Sequence, residues 1–502
     1  MRLAGRYACD ALDWGTPLSR SHAHGALSGD LRAPGIRDVD PLAPRPQLAH
    51  ELVEALEQEP GAGNWQPLLQ PGARCVVTGQ QPGAAGGLAL VLYKVATAIA
   101  LATRLEGRGG APVVPVFWNA TDDEDFDEIA RTGWLDDSGR LVFLELSRDG
   151  HAGWVGDVPA AADELAAAAA LGSRAHRVPL PRAAPDHGAW VAAFVAAVFP
   201  EVAILDARSA ALRTHVAPLF ERYLQDPAGA QARVEGQIEA LVARGFDRTL
   251  MPGSLRAGLF LTPERRREKP GADLQPLWTA LRTAPQTLSP NVLLRALVQD
   301  FILPSVAHVV GPAEIGYLIE LRALRAAWGI PEPALVPRLT ATLLPAAQWD
   351  ALERAGLDAH RWLLAPAVAL EEAGAARTAA GRGALDREFE RWPAQLETWG
   401  IQAAAQGKVL KRLRAAQEEI AVALRDNGRD GLLNDLPALR GLETWVRPRG
   451  RAQERVLGAL WVRTILGDTT RAALLALAEA HLETLEAHRA EHFVGVYEGT
   501  SE

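Results

Sequence analysis

Lysine is nearly missing from this chain. Only four of the 52 basic residues are lysine, Lys94, Lys269, Lys408 and Lys411, among 502 residues. Such heavy use of arginine, with abundant alanine, is a coding bias, yet it makes each lysine informative. Lys94, inside an apolar helical stretch, marks a position where an ammonium is needed and a guanidinium would not serve. Cysteine is equally scarce, and Cys9 and Cys75 make neither a disulfide framework nor a paired metal motif. No basic stripe is present. The densest basic run, Arg265-Arg266-Arg267, is flanked by Glu264 and Glu268, and the net charge is −9. That argues against a nucleic-acid partner, which needs a positive footprint. Long apolar runs are also lacking: the stretch 88–101 is interrupted by Tyr93, Lys94 and Thr97, short of the ~20 residues of a membrane span. The N-terminal residues lack the apolar core of a signal peptide. The expectation is a soluble, cytoplasmic protein acting on a small molecule, with no membrane and no nucleic acid.

What is present is an α/β pattern. Arg74-Cys75-Val76-Val77 is β-prone, ends in Thr78-Gly79-Gln80-Gln81-Pro82-Gly83, and leads into an apolar helix over 87–105. A second strand, 112–118, is continuous and apolar, as a strand buried on both faces must be. Strand, glycine turn, helix, strand opens a doubly wound parallel sheet. Further strands are predicted at 141–146, 202–205, 258–261 and 305–310, and helices at 47–57, 160–171, 190–198 and 207–225. The polar, helix-prone region 227–285 reads as an insertion on a core spanning 1–345. From 346 to 445 no strand is expected, and Val409, Leu413, Ala416, Ile420 and Ala423 alternate spacings of four and three, a heptad seam predicting a coiled coil. Residues 446–502 return to mixed structure, with a strand at 493–497.

In open α/β sheets, ligands sit at the carboxyl ends of the strands. The first such end offers Thr78, Gly79, Gln80 and Gln81, whose glycine allows close backbone approach and whose amides suit carboxylates or sugar hydroxyls. The second runs from Trp118-Asn119 into six carboxylates within residues 122–128. Such crowding demands a cation, an amine or several donors. Asp127 and Glu128 fit the first turn of a helix beginning near Phe126, whereas Asp123 and Asp125 are candidates to orient an amine, act as general base or hold Mg²⁺. A third cluster places Asn291, Arg295 and Gln299 at four-residue spacing after Ser289, a polar stripe suited to a carboxylate. Val309-Val310-Gly311-Pro312 is again strand and glycine turn, with Glu314 and Tyr317 in the helix that follows. The histidines are dispersed: His22 and His24 lack a third ligand at metal spacing, and His308 reads as a core residue. Cys75, within a strand, is core rather than nucleophile.

Together, Thr78-Gly79-Gln80-Gln81-Pro82-Gly83, Leu92-Tyr93-Lys94, Pro115-Val116-Phe117-Trp118, Asp125-Phe126-Asp127-Glu128, Ser289-Pro290-Asn291 with Arg295 and Gln299-Asp300, Gly311-Pro312 with Glu314, Val336-Pro337-Arg338 and Gln453-Glu454-Arg455 resemble the bacillithiol biosynthesis cysteine-adding enzymes. The resemblance implies a Rossmann-like core with helical connecting segments and a coiled-coil domain used for homodimerisation. It also implies an intracellular ligase that joins the carboxyl of L-cysteine to the amine of glucosaminyl-malate. One position departs from the pattern: Glu124 stands where the family usually has histidine, so no role of that histidine transfers. Amide formation from a free carboxylate is uphill in water, which points to ATP with Mg²⁺ as the activating cofactors. On this reading Asp123, Asp125 and Lys94 carry the chemistry, Lys94 by neutralising a phosphate or the developing oxyanion, and an Asp125→Asn enzyme loses turnover while staying folded. Binding falls to Thr78, Gly79, Gln80, Gln81, Asn119, Ser289, Asn291, Arg295, Gln299, Gly311, Glu314 and Tyr317. Two alternatives stay open: a nucleotidyl- or aminoacyl-transferring enzyme of the same core acting on another small amine, and a non-catalytic binding protein whose coiled coil carries the function.

Overall fold

A computed structural model describes the whole chain except residues 13, 137, 148–152, 161–179, 182–183, 256 and 499–502. Most of the helix expected at 160–171 lies outside the described residues. The chain divides into two units. One comprises Met1–Asp136, Leu141–Thr342 and Glu454–Gly495, and the other comprises Asp137–Arg140, Leu343–Gln453 and Val496–Glu502.

The first unit is built on five parallel strands in the order Ala334–Pro337, Ser305–Val310, Arg74–Gln80, Val113–Asn119, Ala203–Asp206. Every residue of Val113–Asn119 and Ser305–Val310 is buried, which is why these segments read as unbroken apolar runs. The helix Ala89–Gly109 returns the chain from the first of these strands to the second and ends at Gly110, which takes the left-handed conformation (φ 69°) that closes a helix. The chain lays strands outward on one side of Arg74–Gln80, then crosses back and places Ser305–Val310 and Ala334–Pro337 on the other. The order therefore reverses between Arg74–Gln80 and Ser305–Val310, and a crevice at the carboxyl ends of the strands is the general consequence of that reversal.

Two expected strands form but do not join this sheet. Leu141–Glu145 pairs antiparallel with Arg131–Leu135, and Leu259–Leu261 pairs antiparallel with Leu288–Pro290. The first has a partner a few residues upstream in the chain, close enough for a hairpin, whereas a parallel neighbour requires a long crossover. The region 227–285 accordingly mixes the helices Pro227–Val242 and Gln275–Thr283 with a short strand. The single helix expected at 207–225 is two, Ala210–His215 and Ala217–Gln225, with Pro218 in the first turn of the second. Proline is tolerated there and not in a helix interior. The first 70 residues also hold a strand, Arg2–Ala8, and a helix, Pro17–Ala23, that the Pro- and Gly-rich sequence did not announce.

The second unit is helical. Ala379–Thr398 and Ala403–Asp435 form an antiparallel hairpin: Gln417 donates to Asp386 at 2.8 Å near its middle, and Gly428 meets Gly374 of Pro366–Arg377 further down. The heptad seam is followed only in part. Val409, Leu413 and Ala416 are half-buried within the chain, but Ile420 and Ala423 face outward, and Ala421, Leu424, Gly428 and Leu432 take over the packed face. The packed face is thus shifted by one residue, and it includes Gly428, whose missing side chain lets the long helix approach the backbone at Gly374.

Candidate active site

The strand Val113–Asn119 ends and the chain turns across the sheet edge, leaving Asp122 buried and Asp123 partly open. Three arginines from three distant segments converge on them. Arg213 donates through Nη2 to Asp122 Oδ2 at 3.1 Å. Arg267 reaches Asp122 Oδ2 at 3.4 Å and Asp123 Oδ1 at 3.3 Å. Arg295, from the helix Val292–Ile302, donates to Asp123 Oδ2 at 3.2 Å and lies 3.5 Å from Asp122 Oδ1. Ser289 Oγ donates to Asp122 Oδ2 at 2.9 Å and accepts from Arg267 Nε at 3.2 Å. Arg213 also lies over the face of Trp154, 4.4 Å from the ring centre.

These charges set the titration of the pair. Burial pushes the Asp122 carboxyl up, but Arg295, Arg267, Arg213 and the Ser289 hydroxyl outweigh it and hold the group at about 2. Asp123 is likewise held below the usual carboxylate range, its burial overcome by Arg295 and Arg267. Asp123 also accepts from Gln81 Nε2 at 3.2 Å and from the Glu124 backbone N–H at 2.8 Å. With both oxygens engaged by cations and amides, Asp123 fits neither a magnesium ligand nor a proton acceptor near neutrality. It remains a fixed negative acceptor, able to orient an ammonium. Glu124 accepts the backbone N–H of Arg267 and so secures the loop that delivers that arginine.

Lys94 is placed differently from the expectation of a free phosphate-neutralising cation. Its Nζ, closed off from solvent, donates to Gly79 O at 2.7 Å and Gln80 Oε1 at 3.0 Å and pairs with Glu314 Oε2 at 2.7 Å. All three ammonium hydrogens are spent. Burial lowers its pKa, and Glu314 opposes that shift. Glu314 in turn accepts from Gly311 N at 2.5 Å, capping its own helix. Lys94 thus holds the glycine turn and Gln80 in place. Thr78 donates to Val309 O at 2.7 Å, fastening the two strands that flank the crevice. Gly79 sits where a Cβ would come 3.0 Å from Trp118 O, so a larger residue there would press the neighbouring strand outward by a few tenths of an ångström. Burial, with Glu314 adding to it, raises the Tyr317 pKa against the opposing Arg295, so its phenol stays protonated.

Two further candidates, Asn291 and Asp125, are corrected, and Asn119 is placed in the core. Asn291 is not part of a polar stripe but the N-cap of Val292–Ile302: its Oδ1 accepts from Leu293 and Leu294, and its Nδ2 donates to Ser254 O and Ala257 O, which leaves no capacity for a ligand. Arg295 and Gln299 do share a face of that helix, both half-buried. Asp125 is exposed and caps the short helix Phe126–Ile129 through the Glu128 N–H, apart from the arginine cluster. Asn119 is buried and donates to Gly188 O at 3.0 Å, tying the strand end to a neighbouring helix.

Sequence reasoning missed Asp122, Arg213 and Arg267. Asp122 was indistinguishable within a run of acids. Arg213, beside Leu212 and three residues before Val216, carried the signal of a lone charge on an apolar helix face, and Arg267 that of the densest basic run. A second ionic cluster lies beyond the strand Ala203–Asp206, where Arg208 binds Asp157 at 2.6 Å, Asp186 at 2.9 Å and Asp206 at 2.6 Å. The Val336-Pro337-Arg338 and Glu454 blocks prove structural: Arg338 and Glu454 form a buried pair at 2.5 Å, and Glu454 accepts from Ala341 N at 3.1 Å. Asp300 is likewise a core residue, 2.8 Å from His308 and 2.5 Å from Arg325.

Comparison with known proteins agrees with this architecture. The family model for bacillithiol biosynthesis BshC, N-terminal Rossmann-like domain, matches residues 45–339. A Thermus thermophilus protein named "Putative cysteine ligase BshC" is 31% identical over 484 residues, covering 92% of this chain and 86% of its own length. Proteins of the same name from Natranaerobius thermophilus and Heliobacterium modesticaldum are each 29% identical, over 57% and 64% of this chain. Those two matches span 58% and 64% of the relatives' own length, less than two thirds.

Proposed function

The chain belongs to the BshC family of bacillithiol biosynthesis, and on that premise we propose that it is a cysteine ligase, joining the carboxyl of L-cysteine to the amine of glucosaminyl-malate in the last step of bacillithiol formation. The observation that carries the reading is the meeting of Gln81, Asp123 and Arg295 at the strand ends. The side chains of Asp123 and Arg295 are 18% and 21% accessible, while Asp122 behind them is 3% accessible. A rigid closed layer thus supports an outer layer carrying one charge of each sign and a neutral amide. Both proposed substrates carry an amine and at least one carboxylate, which is the complement of such a surface. Arg295 pairs with a carboxylate, and Asp123 with Gln81 orients the ammonium or the sugar hydroxyls.

Activation of the cysteine carboxylate by ATP is proposed on thermodynamic grounds alone. Arg213 and Arg267 are committed to Asp122, Asp123 and Ser289, and Lys94 is saturated, which leaves Arg295, the most accessible cation of the cluster, for a substrate carboxylate. The test is a product assay with L-cysteine, glucosaminyl-malate, ATP and Mg²⁺, read by mass spectrometry, with ATP left out of a parallel tube. The amide product only in the presence of ATP supports both the reaction and its activation. No product in either tube from folded protein overturns the reading.

The protein is further proposed to act in the cytoplasm and as a homodimer through its helical unit. Among the described residues no helix is long and apolar enough to cross a membrane. On Ala403–Asp435, Ile420 and Val422 are 44% and 42% exposed within one chain, apolar surface that a second copy would cover. Light scattering should give twice the mass of one chain, and Ile420→Asp should shift it toward one. A monomeric parent protein would sink the proposal.

A further inference from the structure

Behind the arginine cluster, three polar atoms are buried without a hydrogen-bond partner: the indole Nε1 of Trp118, Nε of Arg295 and Oδ1 of Asp122. Arg295 Nη2 lies 3.5 Å from that oxygen and makes no hydrogen bond to it. The three residues line one cavity of about 10 Å³, shared with Arg213, Pro290 and Phe220. An unsatisfied buried donor or acceptor is destabilising, so three of them on residues that line one void call for a shared partner. A void of about 10–15 Å³ admits one water molecule, provided two to four polar groups surround it. Here the groups match the molecule's own valences. Trp118 and Arg295 each offer an N–H to the two lone pairs of a water oxygen, and Asp122 Oδ1 accepts one of its hydrogens.

We propose that one ordered water molecule is bound in this cavity, between Trp118, Asp122 and Arg295, and that Trp118 is through it a positioning residue for Arg295. Arg295 Nη1 and Nη2 face Asp123 and Asp122. The water fixes the remaining Nε, so that the guanidinium plane has no freedom to swing. The strand Val113–Asn119 thereby dictates the pose of a side chain whose own backbone lies in another helix. The consequence for substrate binding rests on the ligase reading above; the water itself does not.

The deciding experiment is a crystal structure of the full chain at a resolution that shows ordered solvent, for the parent and for Trp118→Phe. The expected parent shows a density peak within hydrogen-bond distance of all three atoms, and an empty cavity overturns the proposal. The expected variant loses the peak and shows Arg295 displaced or in two conformers; Arg295 unmoved in a folded variant without the water overturns the positioning role. In the ligase assay the same variant should raise KM for the amine substrate roughly five- to tenfold, with kcat within about twofold. A lowered melting temperature with KM unmoved would reduce Trp118 to a packing residue. A parent protein that binds the water yet makes no amide product would leave this site standing and sink only the proposed reaction.

Discussion

Lys94 Nζ lies 2.7 Å from Glu314 Oε2, and the pair spans the crevice at which the strand order reverses. Lys94 belongs to the helix that follows Arg74–Gln80, and Glu314 to the helix that follows Ser305–Val310. Each helix opens with a glycine turn, and the one ion pair sets the distance between the two turns. Lys94→Met would strand Gly79 O, Gln80 Oε1 and Glu314 at once. Losing one partner of a fully buried pair costs about 3–5 kcal/mol. Glu314 keeps 28% of its side chain in solvent, so a loss of about 2 kcal/mol is expected, read as a lower urea midpoint at unchanged slope. Lys94→Arg should not rescue it, because a planar fork cannot point at three acceptors arranged around a single nitrogen. An arginine variant as stable as the parent would contradict this account.

Asp122 makes the fold sensitive to acid. Its carboxyl is held at about 2, against 3.8 for the ordinary aspartate. A carboxyl depressed in the folded state contributes stability above its unfolded pKa and loses it as pH falls toward the folded value. The contribution is therefore complete above about pH 4 and disappears between about pH 4 and 2, amounting to roughly 2 kcal/mol. Stability measured across this window should fall less steeply in Asp122→Asn than in the parent. The variant should also be less stable near pH 7, since Arg213, Arg267 and Arg295 lose their shared counter-charge. Equal slopes for the two proteins would show that Asp122 does not titrate as described.

The sheet could be read from the sequence because a parallel strand leaves a local mark, an unbroken apolar run, and Val113–Asn119 and Ser305–Val310 carry it. The arginine cluster leaves no such mark. Asp122 and Arg213 are 91 positions apart, and Asp122 and Arg267 are 145 apart, so their meeting is a product of the strand order and not of any spacing. Residues in glycine turns were found for the same local reason as the strands, but their roles were not. Whether Lys94 faces a ligand or Gln80 depends on which groups the fold has already brought within reach of its ammonium. Asn291 misled in the opposite way, since four-residue spacing to Arg295 looks alike for a residue on the helix and for the residue that caps it.

Asp125 gives a direct check on that distinction. As an N-cap accepting from the Glu128 N–H, it is replaceable by asparagine, which caps about as well. Asp125→Asn is expected to keep turnover within about twofold, and Asp125→Ala to cost about 1 kcal/mol of stability with kcat little changed. A collapse of turnover in the folded Asn variant would return Asp125 to the chemistry.

Arg295 should behave differently. Arg295→Lys keeps the charge but gives up the fork that faces Asp122 and Asp123 together, so Asp123 loses part of its fixed orientation. With a substrate carboxylate at stake as well, KM for the amine substrate should rise roughly ten- to hundredfold, more than kcat falls. Binding of the amine substrate by calorimetry should weaken in parallel. Unchanged affinity in the lysine variant would move the carboxylate-binding role elsewhere.

The helical hairpin offers a pair of substitutions with opposite signs on one helix. Gly428 and Gly407 both lie within Ala403–Asp435. Alanine is favoured over glycine in a helix interior by about 0.8–1 kcal/mol, so either change should stabilise if propensity alone acted. At Gly407 nothing lies within 4 Å of the added methyl, and Gly407→Ala should raise stability by roughly that amount. At Gly428 a Cβ would stand 2.1 Å from the Gly374 carbonyl oxygen and 2.8 Å from its carbon, both backbone atoms that cannot rotate aside. The helices must separate, and overpacking of this kind costs typically 1–3 kcal/mol or more, which exceeds the propensity gain. Gly428→Ala should therefore lower the unfolding midpoint of the helical signal while Gly407→Ala raises it. Two stabilised variants would mean that the helices do not approach as closely as Gly374 and Gly428 require.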